Sequence, residues 1–162
     1  MNVREEIESE FELESFADKV FDEALIGVVE QFGGDVEPLY DWGVIEKSSI
    51  PNGKLDEFKS HIFTKMSLKD ITEKHGDTLV ATGYDDQVLG VVSKQGDETV
   101  VLYDKVGVIS QKVSEIESEE DYEEDPDYPS CVHAMEDYSY NFIGGYLGPR
   151  TWKCATLFTE DE

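Results

Sequence analysis

Apolar and polar positions recur along the chain at an offset of 63 residues. Residues 21–41 (FDEALIGVVEQFGGDVEPLYD) align without a gap with residues 84–104 (YDDQVLGVVSKQGDETVVLYD). Eight of the 21 aligned positions are identical, namely Asp22/Asp85, Gly27/Gly90, Val28/Val91, Val29/Val92, Gly33/Gly96, Leu39/Leu102, Tyr40/Tyr103 and Asp41/Asp104. A GVV and an LYD that recur at one shared offset indicate an internal repeat.

Each copy of the repeat predicts a β-hairpin. In the second copy, the apolar runs 88–92 and 99–103 flank a turn at Gly96-Asp97, which is a hairpin signature. Because the first copy has the same pattern, we predict that it is also a hairpin, with its turn at Gly33-Gly34. The repeated glycines at positions 27 and 90 interrupt strands, which indicates a bulge or a close backbone approach.

The pattern outside the repeats predicts mainly helices. Residues 3–20 place their apolar side chains near one face, with Asn2 as a cap. Residues 55–63 have helical spacing after a loop, and Ser67 with Asp70 resembles a capping box that begins another short helix.

The last third of the chain predicts two more helices and two short strands. Apolar residues at positions 106, 109, 113 and 116 indicate a helix with Asp104 as its cap. Another helix is predicted over about 131–140, capped by Ser130. Residues 143–158 predict two short strands around Gly148-Pro149.

These elements predict an α+β fold, in which two repeated antiparallel β-hairpins carry helices packed on one face of the sheet. Residues 1–48 hold the N-terminal helix and the first hairpin repeat, and residues 49–78 form a helical connection. Residues 79–162 hold the second repeat unit, with an acidic loop at 115–129. The offset of the repeat is compatible with one single domain as well.

Net charge narrows the range of partners. The chain carries 38 Asp and Glu against 13 Lys and Arg, which gives a formal charge of -25. Direct binding of nucleic acid is disfavoured because phosphates are bound through Lys and Arg. Nine acidic residues and no basic one lie from Glu115 to Asp127, and further acidic residues are spaced along the predicted N-terminal helix. Such a surface favours a basic protein as the partner.

The sequence predicts no enzyme, no cofactor and no metal site. Cys131 and His133 lie two positions apart on a predicted helix, where their side chains do not face each other. The chain has no CxxC or HExxH motif, and its acidic loop lacks the glycine and the spacing of an EF-hand.

The location we expect is the cytoplasm. No apolar run reaches the roughly 18 residues that a membrane helix needs, and the first residues lack the layout of a signal peptide. Two cysteines, Cys131 and Cys154, do not make a disulfide framework.

Four stretches share a pattern with other proteins: residues 24–33, 40–41, 134–142 and 144–158. They resemble the ALIGVxxRFG, YD, AxEYFxFN and GAYVGxxTPxF segments of a family of short uncharacterised bacteriophage and prophage proteins. Trp152 stands where the family pattern has Pro, and Gln31 or Lys94 where it has Arg. The resemblance implies a phage setting and the host cytoplasm, and it supplies no catalytic residues.

Charge and resemblance together predict an acidic phage-encoded inhibitor that mimics the charge of DNA and blocks a basic host nucleic-acid enzyme or defence complex. The residues predicted to bind the partner are Glu119, Glu120, Asp121, Tyr122, Glu123, Glu124 and Asp125. The alternative is an accessory or structural phage protein without catalytic activity. It would form a homo-oligomer through its hairpin edges or aromatic faces, and its acidity would only keep it soluble.

Overall fold

Six strands close into a barrel in the order in which they occur in the chain. The computed structural model describes residues 2–11, 13, 16–30, 36–95, 99–144 and 151–158. The strands are β1 (Leu25–Glu30), β2 (Val36–Asp41), β3 (His61–Lys65), β4 (Val88–Ser93), β5 (Val100–Asp104) and β6 (Lys153–Leu157). β2 pairs with β3 and β5 with β6 in parallel, whereas the other four pairs are antiparallel. Each of these strands therefore has two neighbours and leaves no edge open.

Short helices connect the strands on the outside of the barrel. The α-helices of the described ranges are α1 (Val3–Glu10), α2 (Trp42–Lys47), α3 (Asn52–Asp56), α4 (Leu68–Lys74), α5 (Lys105–Glu117) and α6 (Ser130–Asp137). Turns of 3₁₀ helix lie at Lys19–Ala24 and Asp85–Gln87, and a π-helical stretch at Tyr138–Ile143 continues α6. The predicted cap of α4 is confirmed, because the Ser67 hydroxyl accepts a hydrogen bond from the Asp70 N–H at 3.2 Å.

The barrel consists of two three-stranded units with the same pairing pattern. Strands β1, β2 and β3 form one unit, and β4, β5 and β6 form the other. Leu39 pairs with His61, and its repeat equivalent Leu102 pairs with Lys153. His61 and Lys153 therefore occupy equivalent positions in the two units.

The predicted fold class is wrong, because the sheet closes on itself and its helices are not confined to one face. The prediction missed the third strand of each unit and the parallel pairing that it makes. Residues 55–63 have helical spacing, yet Ile62 and Phe63 lie in β3, where neighbouring side chains point to opposite faces. Ile62 packs outside the barrel with Tyr40, and Phe63 packs inside it.

Other element boundaries also differ from the prediction. Helix α1 ends at Glu10 rather than continuing to residue 20. Within the described part of the tail there is one strand, β6, rather than two. Asp104 precedes α5 as expected, but its side chain makes no capping hydrogen bond. The three predicted turns, at 33–34, 96–97 and 148–149, lie outside the described residues.

Apolar side chains from all six strands fill the inside of the barrel. They are Val29, Leu39, Phe63, Val92, Val100, Leu102 and Ala155. The residues next to them in each strand point outward and join two external clusters, one around Tyr40 and one around Tyr103. α1 packs on the Tyr40 cluster through Ile7, and α5 packs on the Tyr103 cluster through Val108.

The two external clusters are built on equivalent tyrosines, both with no exposed surface. The Tyr40 hydroxyl accepts a hydrogen bond from the Ala17 N–H at 2.9 Å, and the Tyr103 hydroxyl accepts one from the Ala81 N–H at 2.8 Å. Burial raises the pKa of Tyr40 and raises the pKa of Tyr103 to about 12. Both tyrosines therefore stay neutral at ordinary pH. Through its hydroxyl, each tyrosine also binds the backbone of a neighbouring loop to the barrel.

Gly27 and Gly90 mark the closest approach between the two units. A Cβ atom on Gly27 would overlap the carbonyl oxygen of Thr156 in β6, and one on Gly90 would overlap that of Thr64 in β3. The pairing register shifts just before each glycine. The bulge and close approach predicted from the repeated glycines are thus confirmed.

We predict that Gly27→Ala and Gly90→Ala each lower the free energy of unfolding by about 2 kcal/mol or more, because the added methyl displaces a paired backbone. Gly53→Ala is the matched control, since nothing lies within 4 Å of its added Cβ. In helix α3 this change should stabilise the protein slightly. Urea denaturation measures all three variants, and equal stabilities would contradict the proposed contact.

We also predict that Tyr40→Phe and Tyr103→Phe each cost about 1–3 kcal/mol of unfolding free energy, because a backbone N–H loses its acceptor. Tyr140→Phe serves as the control, since Tyr140 is 77% exposed. This control should change stability by less than about 0.5 kcal/mol. If all three variants unfold at the same urea concentration, the tyrosine hydroxyls do not stabilise the clusters.

Candidate functional site

The residues predicted to bind a partner lie in the connection between α5 and α6. Because α5 continues to Glu117, this loop covers residues 118–129 rather than the predicted 115–129, and we call residues 118–129 the acidic loop from here on. Six of the seven are exposed carboxylates, and Tyr122 is half-buried. None of the six forms an ion pair with any cation among the described residues. Their charges therefore face solvent without compensation from the protein itself.

Turn hydrogen bonds hold the acidic loop in shape. The Tyr122 N–H donates to the Glu119 carbonyl and the Tyr128 N–H to the Asp125 carbonyl, both at 3.0 Å. The side chain of Asp125 also accepts from the Asp127 N–H at 2.9 Å. These bonds shape the two turns of the backbone that carries the carboxylates.

The base of the loop is fixed to the helices on both sides. The Ser130 hydroxyl donates a hydrogen bond to the Glu117 carboxylate and joins the start of α6 to the end of α5. Lys112 on α5 donates to Asp137 on α6 at 2.5 Å and to the Tyr84 hydroxyl at 2.8 Å. The Lys112 bond lowers the pKa of Asp137. Burial acts to lower the pKa of Lys112, but its two hydrogen bonds outweigh that effect and raise it.

Exposed apolar side chains accompany the acidic loop. Val132 and Met135 on α6 are 39% and 54% exposed, and Tyr140 beyond them is 77% exposed. Tyr128, at the end of the loop, stacks on His133 with ring centroids 5.3 Å apart and donates to Glu136 at 2.7 Å. The loop and α6 thus present carboxylates and apolar groups from one segment of chain.

The acidic helix α1 packs on a different cluster from the helices that flank the acidic loop. Its buried residue Ile7 belongs to the Tyr40 cluster, whereas α5 and the π-helical stretch belong to the Tyr103 cluster. The structure therefore does not bring the two acidic segments together in one cluster. The prediction of partner binding depends on the loop.

The cysteines are not arranged for nucleophilic chemistry. Cys131 is exposed, and its near neighbour His133 is stacked on Tyr128. Cys154 is fully buried, and burial raises the pKa of its thiol to about 12. Within the described ranges, no three His, Cys, Asp or Glu side chains are placed to hold a metal ion.

A second polar group, which the sequence did not predict, lies at the end of the barrel where β2, β3 and β6 begin. We call Glu37, His61, Lys94 and Lys153 the mouth cluster. Lys94 Nζ lies 3.0 Å from Glu37 Oε1, and Glu37 Oε2 lies 3.8 Å from His61 Nδ1. His61 Nε2 lies 3.0 Å from Lys153 Nζ. His61 is 1% exposed, so this chain of contacts runs into the protein.

Strand geometry explains how these side chains meet. Glu37, His61 and Lys153 each lie two positions before a residue that points into the barrel, and residues two apart share a face. β3 and β6 are on opposite sides of the six-stranded ring, so the contact between His61 and Lys153 spans it. The only sequence signal for this contact is their equivalence in the two units, which becomes visible once β3 and β6 are aligned.

Comparisons with known proteins identify no relative: no family model, no curated protein and no solved structure matches the chain. No helix within the described ranges combines the length and the apolar character needed to cross a membrane.

We predict that Asp137→Asn lowers the unfolding free energy by about 1–3 kcal/mol at pH 7, because buried Lys112 loses its charged partner. Since the pKa of Asp137 is lowered in the folded state, its contribution is complete above the unfolded value of about 3.9. The contribution is lost as pH falls from there through the folded pKa. Urea denaturation at pH 7 and pH 3 should thus show a gap to the wild type that narrows in acid.

Asp121→Asn is the control for this prediction, since Asp121 is exposed and forms no ion pair with a described residue. Its stability should match the wild type at both pH values. A gap for Asp137→Asn that stays constant with pH would show that the carboxylate does not act through its charge.

Proposed function

We propose that the chain is an acidic binding protein that places its acidic loop in the nucleic-acid groove of a basic protein and so blocks it. The observation that carries the proposal is the set of six exposed carboxylates within residues 119–125, which no described cation pairs with. Double-stranded DNA presents one negative charge per about 1.7 Å of its axis. A segment this dense in carboxylates offers a comparable field to a groove lined with Lys and Arg.

The fixed shape of the loop supports this function. Six like charges repel one another, and the turn hydrogen bonds at Glu119 and Asp125 keep the backbone that carries them folded despite that repulsion. A loop that is ordered before binding loses less conformational entropy when the partner arrives. The net charge of -25 would also speed the encounter with a basic protein.

The exposed apolar side chains beside the loop favour a protein partner over a simple polycation. Tyr and Met are enriched in protein interfaces, where aromatic anchors contribute much of the binding energy. Tyr140 and Met135 are exposed on the segment that follows the acidic loop. The resemblance to short bacteriophage proteins supports a phage-encoded inhibitor, with a host nucleic-acid enzyme or defence complex as its target.

Self-association is the alternative function, and the exposed residues of α6 favour it. Closure of the barrel removes the hairpin edges through which copies were expected to pair. Apolar contacts through Val132, Met135 and Tyr140 remain as a route, opposed by the like charge of the two copies. Size-exclusion chromatography with light scattering separates the two functions, since a stable homo-oligomer would favour self-association.

We predict that neutralising the loop weakens binding to the basic partner at least about tenfold, which is about 1.4 kcal/mol. The variant changes Glu119, Glu120, Glu123 and Glu124 to Gln and Asp121 and Asp125 to Asn. The partner is first captured from a bacterial lysate with the tagged protein, eluted by a salt gradient and identified by mass spectrometry. The dissociation constant is then measured with the purified partner at several salt concentrations.

A matched control removes the same number of charges elsewhere, by changing Glu8, Glu10, Glu46 and Glu73 to Gln and Asp77 and Asp86 to Asn. All six of these side chains are exposed. The loop variant should bind more weakly and depend less on salt than the control variant. If the loop variant and the control variant bind with equal affinity, the partner contacts a surface other than the acidic loop. Recovery of no basic protein from the lysate would contradict the proposed function.

A further inference from the structure

A cavity of about 480 Å³ lies beside the mouth cluster and includes Glu37 and Lys94 in its wall. Its apolar wall is formed by Phe16, Phe21 and Phe58. Small-molecule sites commonly span about 300–1,000 Å³, combine aromatic walls with a few polar groups, and occur at the mouths of β-barrels. The size, lining and position of this cavity all match that description.

Charges of both signs line the cavity in equal number. The lysines are Lys54, Lys59 and Lys94, and the carboxylates are Asp18, Glu37 and Glu57. The whole chain, by contrast, has 38 acidic residues against 13 basic ones. The residues that line the cavity therefore carry no net formal charge, in contrast to the strongly negative chain as a whole.

Four of these side chains form two ion pairs with one another, and one of the two pairs also lies close to His61. Lys54 lies 2.9 Å from Asp18 at the rim, and Lys94 lies 3.0 Å from Glu37. The other oxygen of Glu37 lies 3.8 Å from Nδ1 of the buried His61. Glu37 and Lys94 are only 25% and 30% exposed, so their charges have a set direction and reduced contact with water.

This arrangement discriminates between classes of ligand by charge. A ligand that carries only a negative charge would meet three carboxylates in the wall and the field of a protein at -25. One that carries only a positive charge would be attracted by that field, but it would also meet three lysines in the wall and could pair with only one of the two sets of charges. A ligand with one charge of each sign can pair with both sets, while an apolar body covers the phenylalanine rings.

We infer that this cavity binds a small zwitterion with an aromatic body, the chemistry of a free aromatic amino acid. The ligand's carboxylate pairs with Lys59 and its ammonium pairs with Glu57, because Lys94 and Glu37 are already paired with each other. The ring packs on Phe16, Phe21 and Phe58. This site is separate from the acidic loop, so it is independent of the function proposed above.

Three probes of one aromatic skeleton test the inference on the full chain. They are L-tryptophan, which carries both charges, indole-3-propionate, which carries only the negative charge, and tryptamine, which carries only the positive one. Titrations followed by two-dimensional NMR should show saturable shifts with L-tryptophan at residues that line the cavity. Each singly charged probe should bind at least about threefold more weakly, because one ion-paired contact is lost.

Variants at exposed positions of the wall keep the test independent of folding. Lys59→Ala and Glu57→Gln should each weaken L-tryptophan binding about twofold to fivefold, whereas Lys69→Ala, an exposed lysine on α4, should leave it unchanged. The loop-neutralised variant should also bind L-tryptophan like the wild type. The inference is overturned if L-tryptophan gives no saturable shifts, if its shifts map away from the cavity, or if either singly charged probe binds equally well.

Discussion

Closure of the barrel depends on two close contacts between backbones that only glycine permits. At Gly27 the backbone of β6 passes where a side chain would otherwise stand, and at Gly90 the backbone of β3 does the same. These contacts join each three-stranded unit to the other, through β6 with β1 and β3 with β4. At these two junctions the six strands close into one ring without an open edge. The clusters outside the barrel and the mouth cluster at its end all presuppose this closure.

The two units share a backbone plan but differ in what their equivalent positions carry. Phe63 and Ala155 are equivalent inside the barrel, so a large side chain from one unit fills space left by a small one from the other. Glu37 corresponds to Val100 at the offset of the repeat, and His61 corresponds to Lys153. The mouth cluster is therefore not a symmetric feature of the repeat. At the position of Glu37 the second unit carries an apolar residue, so the shared frame does not require a charge there.

Local sequence patterns predicted the parts of the fold that local forces determine. The repeat, the strand bulges at its glycines, the cap of α4 and the positions of α5 and α6 were all readable from spacing and residue type. The third strands were not, because HIFTK and KCATL share only their threonine and recur at an offset of 92 rather than 63. Their equivalence comes from pairing across the barrel, which no local pattern encodes. The mouth cluster was missed for the same reason, since its contacts join residues far apart in sequence.

The connection between the two parallel strands is much longer in the second unit than in the first. The first unit connects β2 to β3 through residues 42–60, whereas the second connects β5 to β6 through residues 105–152. Both connections join parallel strands in the same geometry, so the shorter one is sufficient for closure. The acidic loop lies within the longer connection, and its unpaired carboxylates add repulsion without adding a described ion pair. The proposed binding to a positively charged partner would account for a segment whose charges oppose compaction and whose counterpart in the first unit is absent.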